Sequence, residues 1–85
     1  MPNGAEIQPV LLRILNEKFR IERESIERHE VLTEDGLGLN SNDLIEFVFF
    51  VEEQYDLSFT DRDLTVGSTF GDAIDAVERK LSVDA

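Results

Sequence analysis

The sequence contains no cysteine and a single histidine. Without cysteine there is no disulfide, no thiolate metal site and no side-chain thiol for covalent chemistry. That absence fits a reducing, cytoplasmic setting. The histidine, His29, lies in the charged stretch RIERESIERHE, and no spacing pairs it with a serine. A hydrolytic triad is therefore set aside, and His29 reads as a solvated surface residue. Long apolar runs are also missing. The longest, Phe47 to Val51, is far short of a membrane span, so no membrane insertion is expected. The N-terminal stretch MPNGAEIQ lacks the basic-then-apolar pattern of a signal peptide. Positive charge is scarce, with 8 basic residues against 19 acidic ones and a net charge of −11. Such a surface repels nucleic-acid phosphates and anionic lipids. Its natural complement is a basic protein surface.

At 85 residues the chain is read as one domain, residues 1–85, with an ordered core over about residues 6–81. A hydrophobic fraction of 41% is enough for a globular fold. The apolar spacing predicts an all-α fold: a small four-helix bundle with a long first loop and a short third helix. The first helix is expected from about Glu6 or Ile7 to Phe19, with Ile7, Leu11 and Ile14 on its core stripe. Pro9 is tolerated near a first turn, which argues for a start close to Ile7. Residues 20–40 form the long connection, pinned by Ile21, Ile26, Val31, Leu32, Leu37 and Leu39, with a turn at Thr33-Glu34-Asp35-Gly36. The second helix is expected over Asp43 to Asp56. Asn40 or Ser41 is its N-cap, and Asp43 stands three residues after Asn40. Its core seam is Leu44, Val48, Val51 and Tyr55, with Ile45, Phe47, Phe49 and Phe50 widening the apolar surface. Thr60 and Asp63 suggest a capping box for a short helix over Asp61 to Val66. Ser68 or Thr69 then caps a last helix from Phe70 to about Leu81, ahead of a frayed tail from Ser82 to Ala85.

Ser41 is the residue on which function turns. It stands where a glycine-containing loop meets the second helix, so its hydroxyl lies outside the core. It can cap the helix or carry a covalent group, and a phosphodiester there would be favoured by the helix dipole. The local motif alone favours a plain cap. Other chemistries fail on spacing. An EF-hand needs oxygen ligands at alternate positions, and Asp35-Gly36-Leu37-Gly38-Leu39-Asn40 offers leucines there. Gly36-x-Gly38 lacks the Lys-Ser or Lys-Thr of a phosphate cradle. No metal site is read, and the carboxylates are scattered over exposed helix faces, so no catalytic residue is assigned and the chain is not expected to be an enzyme.

The wider pattern changes this balance. The stretch Leu37-Gly38-Leu39-Asn40-Ser41-Asn42-Asp43-Leu44-Ile45-Glu46-Phe47-Val48, continued by Val51-Glu52-Glu53-Gln54-Tyr55-Asp56, resembles the acyl carrier protein family. So do Phe59-Thr60-Asp61 and Gly71-Asp72-Ala73-Ile74-Asp75. The match runs without a gap from about Leu37 to Val77, half of the chain. The family's motif is Asp-Ser-Leu, and its serine is esterified by 4′-phosphopantetheine. Ser41 matches that serine, while Asn40 and Asn42 replace its neighbours.

The resemblance implies a carrier with the four-helix layout read above. Acyl intermediates would be held as thioesters on a phosphopantetheine arm at Ser41, so a chain without cysteine can still carry thioesters. The implied partners are a phosphopantetheinyl transferase and acyl-loading and acyl-transfer enzymes with basic docking patches. Asn42, Asp43, Glu46, Glu52 and Glu53 would face them. Ile45 and Phe49, one and two turns from Ser41 on the same helix face, would contact the acyl chain; ordinary core packing is the competing account of both. The expected state is a monomer. The two asparagines point to a specialised lipid or secondary-metabolite pathway. A second reading stays open: a carrier-like interaction module without a prosthetic group, docking through Phe47, Phe49 and Phe50.

Overall fold

A computed structural model describes residues 3–60 and 63–83. Among them are three α-helices: α1 (Gly4–Phe19), α2 (Ser41–Tyr55) and α3 (Phe70–Val83). The all-α expectation holds. Of the expected short third helix, Asp61 and Arg62 lie outside the described residues, and residues 63–66 run through turns and a bend. Of the expected frayed tail, Ser82 and Val83 belong to α3, and Asp84 and Ala85 lie outside the described residues.

Helix α1 begins earlier than Pro9 suggested. Asn3 caps it, its side chain accepting from the Glu6 N–H at 3.1 Å. The Gly4 N–H donates to Glu78 Oε2 of α3 at 2.6 Å, which satisfies a second free donor of the first turn. Pro9 is therefore the sixth helical residue. Its missing N–H leaves the Ala5 carbonyl without its helical donor. Ala5 and Pro9 are both exposed, so water can serve that carbonyl.

The core gathers Ile7, Leu11, Ile14 and Leu15 of α1, Leu44, Phe47 and Val51 of α2, and Phe70, Ala73, Ile74 and Val77 of α3. Phe47 is fully buried, with Phe19 edge-on to it at 6.3 Å between ring centroids. This corrects its place in an exposed aromatic patch. Phe50 is half-buried, and Phe49 alone of the three is exposed.

The long connection is tied down along its length. Ile26, Leu32 and Leu39 are buried, as expected of pegs. Residues 28–32 run beside the entry to α3. Gly71 N–H donates to the Arg28 carbonyl at 2.9 Å, Phe70 N–H to the Glu30 carbonyl at 2.9 Å, and Leu32 N–H to the Ser68 carbonyl at 3.0 Å. Arg28 also grips both oxygens of Asp75, at 2.7 and 2.8 Å. At α3 a reciprocal box forms: Asp72 N–H donates to Thr69 Oγ1 at 3.0 Å, and Thr69 N–H to Asp72 Oδ2 at 2.9 Å. Helix α1 packs against both α2 and α3. The segment after α2 takes the remaining side of the bundle, between α2 and α3. Its Phe59 N–H is bound by Glu52 of α2, and its Asp63 is bound by Arg79 and Lys80 of α3.

Candidate functional site

The N-terminus of α2 gives the cap to a residue other than Ser41. Asn40 takes the capping role. Its Oδ1 accepts from the Asp43 N–H at 2.8 Å, and its own N–H donates to Asp43 Oδ2 at 3.1 Å. Ser41 is the first residue inside the helix. Its side chain is exposed and makes no hydrogen bond among the described residues. The sequence position that looked like a cap is thus left with an unengaged hydroxyl at the positive end of a helix dipole.

Beside it opens a cavity of about 260 Å³ lined by Thr33, Glu34, Asp35, Leu39, Asn40, Ser41 and Val66. The wall of this cavity is fixed by the turn after Thr33. Gly36 and Gly38 N–H groups both donate to the Thr33 carbonyl at 2.9 Å, and Leu37 N–H donates to the Val31 carbonyl at 2.8 Å. His29 lies elsewhere, exposed in the turn that abuts α3. No hydrogen bond joins it to Ser41 among the described residues, so no nucleophile–base pair is formed.

A second cavity, an apolar groove of about 250 Å³, runs along α2. Leu44, Ile45, Val48, Phe49 and Glu52 line one side, and Phe59, Thr60 and Leu64 the other. Ile45 and Phe49 are 67% and 56% exposed, values at odds with ordinary core packing for both. The structure thus brings Ser41, Ile45 and Phe49 to one face of α2, as their spacing predicts. Leu64, Val66 and the groove position of Phe59 are not among the residues that sequence spacing assigns to a site. The signal available was a few apolar side chains in an otherwise polar connection.

The acidic residues divide. Glu46 and Glu53 are exposed, as is the uncharged Asn42 near them. The Asp43 carboxylate is engaged in the capping box, and Glu52 Oε2 accepts from the Phe59 N–H at 2.7 Å. Among the described residues no acidic cluster has the geometry to hold a metal ion.

Asp63 has the most perturbed carboxyl. The Thr60 N–H holds it down to about 2, against burial that pushes the other way, with help from Lys80 and the Thr60 hydroxyl. Lys80 Nζ stands 3.1 Å from it and Arg79 Nη2 3.3 Å. Its pKa in the fold is below the ordinary 3.8, so its stabilisation is present above that value and fades as pH falls through about 2. Asp63→Asn should therefore lower stability at neutral pH by about 1 kcal/mol, discounted for the exposed cation partners. The gap to wild type should close as pH approaches 2. Urea titrations at several pH values would check this, and a gap independent of pH would contradict it.

No protein-family model matches the chain. An acyl carrier protein of Thermotoga maritima is 31% identical over 81 residues, covering 95% of this chain and 99% of that one. The chain belongs to the acyl carrier protein family. Acyl carrier proteins of two Porphyromonas gingivalis strains are each 27% identical over 77 residues, covering 91% of this chain and 97% of theirs. The crystal structure of the Thermotoga maritima acyl carrier protein superimposes with a TM-score of 0.84 at 26% identity, covering 96% of this chain and 94% of that one. The chain is accordingly a carrier and not an enzyme. Members of this family generally carry a phosphopantetheine group. Among the described residues no helix is long and apolar enough to cross a membrane.

Proposed function

We propose that the protein holds acyl intermediates on a 4′-phosphopantetheine arm attached to Ser41. The observation that carries this reading is the division of labour at α2: Asn40 caps, and Ser41 keeps a free, exposed hydroxyl at the helix start. The residues around it fit the group. The first-turn N–H groups and the helix dipole favour a phosphodiester, and the open cavity beside Ser41 leaves room for it. Glu34 and Asp35 on the cavity rim would keep the arm's phosphate at the helix end and away from themselves. When bound, the arm supplies the thiol on which acyl groups are held as thioesters. The chain's own part is to anchor the arm through Ser41 Oγ and to cover the acyl chain with Ile45 and Phe49 along the groove.

Glu46 and Glu53, with Asp43 and the polar Asn42 beside them, place an acidic rim around that face, while the Glu52 carboxylate turns to the Phe59 N–H. The rim suits basic patches on a phosphopantetheinyl transferase and on acyl-loading and acyl-transfer enzymes. Asn42 is polar and exposed where the family has leucine, and Phe49 adds a bulky aromatic surface. Both support dedicated partners in a specialised lipid or secondary-metabolite pathway. The protein is read as a cytoplasmic monomer.

Incubation with coenzyme A and a phosphopantetheinyl transferase should add the mass of the arm to the intact protein. The gain should vanish in Ser41→Ala and persist in Ser58→Ala, which alters an exposed serine in the connection after α2. Absence of any gain with several transferases would overturn the carrier reading in favour of an interaction module.

A further inference from the structure

The groove along α2 has walls of unequal kind. One is a helix, held by its own backbone hydrogen bonds. The other, Phe59, Thr60 and Leu64, lies in no helix among the described residues and has only scattered backbone turn bonds, so side chains must help to place it. Two carboxylates do so. Asp63 takes the Thr60 N–H at 2.7 Å and is met by Arg79 and Lys80, which ties the wall to α3. Glu52 takes the Phe59 N–H at 2.7 Å, which ties the wall to α2. Its main chain adds to this: the Glu52 carbonyl accepts from Leu57 N–H at 3.0 Å and from the Asp56 N–H. Lys80 lies over the Phe59 ring at 5.8 Å and steadies it from the α3 side. The two latches differ in charge. Asp63 is matched by two cations, whereas no cation pairs with Glu52 among the described residues. Glu52 is also seven residues from Ile45 and three from Phe49, on the face that lines the groove. Its carboxylate is turned inward, toward the wall, unlike that of exposed Glu53.

We propose that Glu52 is the positioning residue of this groove: by accepting the Phe59 N–H it holds the second wall against α2, so that an acyl chain of medium length lies covered. Leu44 to Glu52 spans about 12 Å along the helix axis, comparable with an extended octanoyl chain. The inference rests on the carrier reading above for its cargo, but the latch itself belongs to the unmodified protein.

Two measurements test it. In the unmodified protein, Glu52→Ala should speed hydrogen exchange at the Phe59 amide by about tenfold, the equivalent of one lost hydrogen bond. Glu52→Gln retains an acceptor oxygen and should stay near wild type. Glu17→Ala, which removes an exposed carboxylate on α1, should have no effect. The second measurement loads the protein from acetyl- or octanoyl-coenzyme A and follows cleavage by hydroxylamine. In wild type the octanoyl form should be cleaved several-fold more slowly than the acetyl form. In Glu52→Ala that ratio should fall to about one, and in Glu52→Gln it should recover. A ratio left intact in Glu52→Ala would overturn the proposal, as would a fall in global stability in urea large enough to open the groove by general loosening of the fold. Unchanged exchange at Phe59 would overturn it as well. If loading itself fails, the carrier reading falls, and the exchange measurement still decides the latch.

Discussion

Gly36→Ala should destabilise the protein by about 3 kcal/mol, more than any other single methyl addition to the loop. The cause is a close approach of backbone to backbone. A Cβ on Gly36 would overlap the carbonyl oxygen of Val31, and the carbonyl carbon and amide nitrogen of the same residue are also too near. No side-chain rotation relieves a clash with main chain. The turn must open, and with it goes the bond from Leu37 N–H to the Val31 carbonyl at 2.8 Å. The pairing of Thr33 with Leu39 closes the same turn, and Leu39 is the last buried residue before Asn40 and Ser41. Loss of this geometry should therefore also slow attachment of the arm at Ser41. Gly38 makes the comparison. Its φ is +90°, yet a Cβ there would meet nothing within 4 Å. Gly38→Ala should cost only about 1 kcal/mol of backbone strain. Thermal melts by circular dichroism should show the Gly36 variant falling on the order of 15 °C, well beyond the Gly38 variant. Equal midpoints would refute the account.

Phe47→Ala and Phe49→Ala should part in opposite directions, although the two residues are neighbours but one on α2. Phe47 is fully buried and its ring meets Phe19 edge-on. Its truncation leaves a cavity at the junction of α1 and α2 and should cost about 4 kcal/mol. Domains of this size hold only about 5–15 kcal/mol in total, so the variant should sit near the edge of folding. Phe49 is 56% exposed and lines the groove. Its truncation should alter stability by no more than about 0.5 kcal/mol. It should instead strip the groove of an exposed aromatic surface and abolish the slower cleavage of a loaded octanoyl chain. Urea denaturation and the hydroxylamine assay together separate the two effects. A large stability loss in Phe49→Ala would mean that the groove is part of the core.

These neighbours also show where sequence reasoning stops. Helical spacing placed Leu44 and Val51 on the core seam of α2, and the structure buries both. It could not rank Phe47, Phe49 and Phe50, because three bulky residues within one turn cannot all face one way. The deciding factor is Phe19 at the end of α1, whose ring lies 6.3 Å from Phe47 and 5.9 Å from Phe50, leaving Phe49 outside. The early start of α1 was hidden for a similar reason. Pro9 argued locally for a start near Ile7, while Asn3 and a carboxylate from the far end of the chain, Glu78, together supply the first turn.

The family, the helical periods, a cap at Asn40 or Ser41, another at Ser68 or Thr69, and Ser41 as the residue of interest are all legible in the sequence. Each is written in residues a few positions apart, where spacing fixes who meets whom. That Asn40 and not Ser41 is the cap, that Glu52 turns inward to Phe59, and that Val66 shares a cavity with Ser41 emerge from the folded arrangement alone. Those facts depend on how the segment after α2 folds back across the bundle. That path is set by side chains from α2 and α3 acting at once, which no local pattern records.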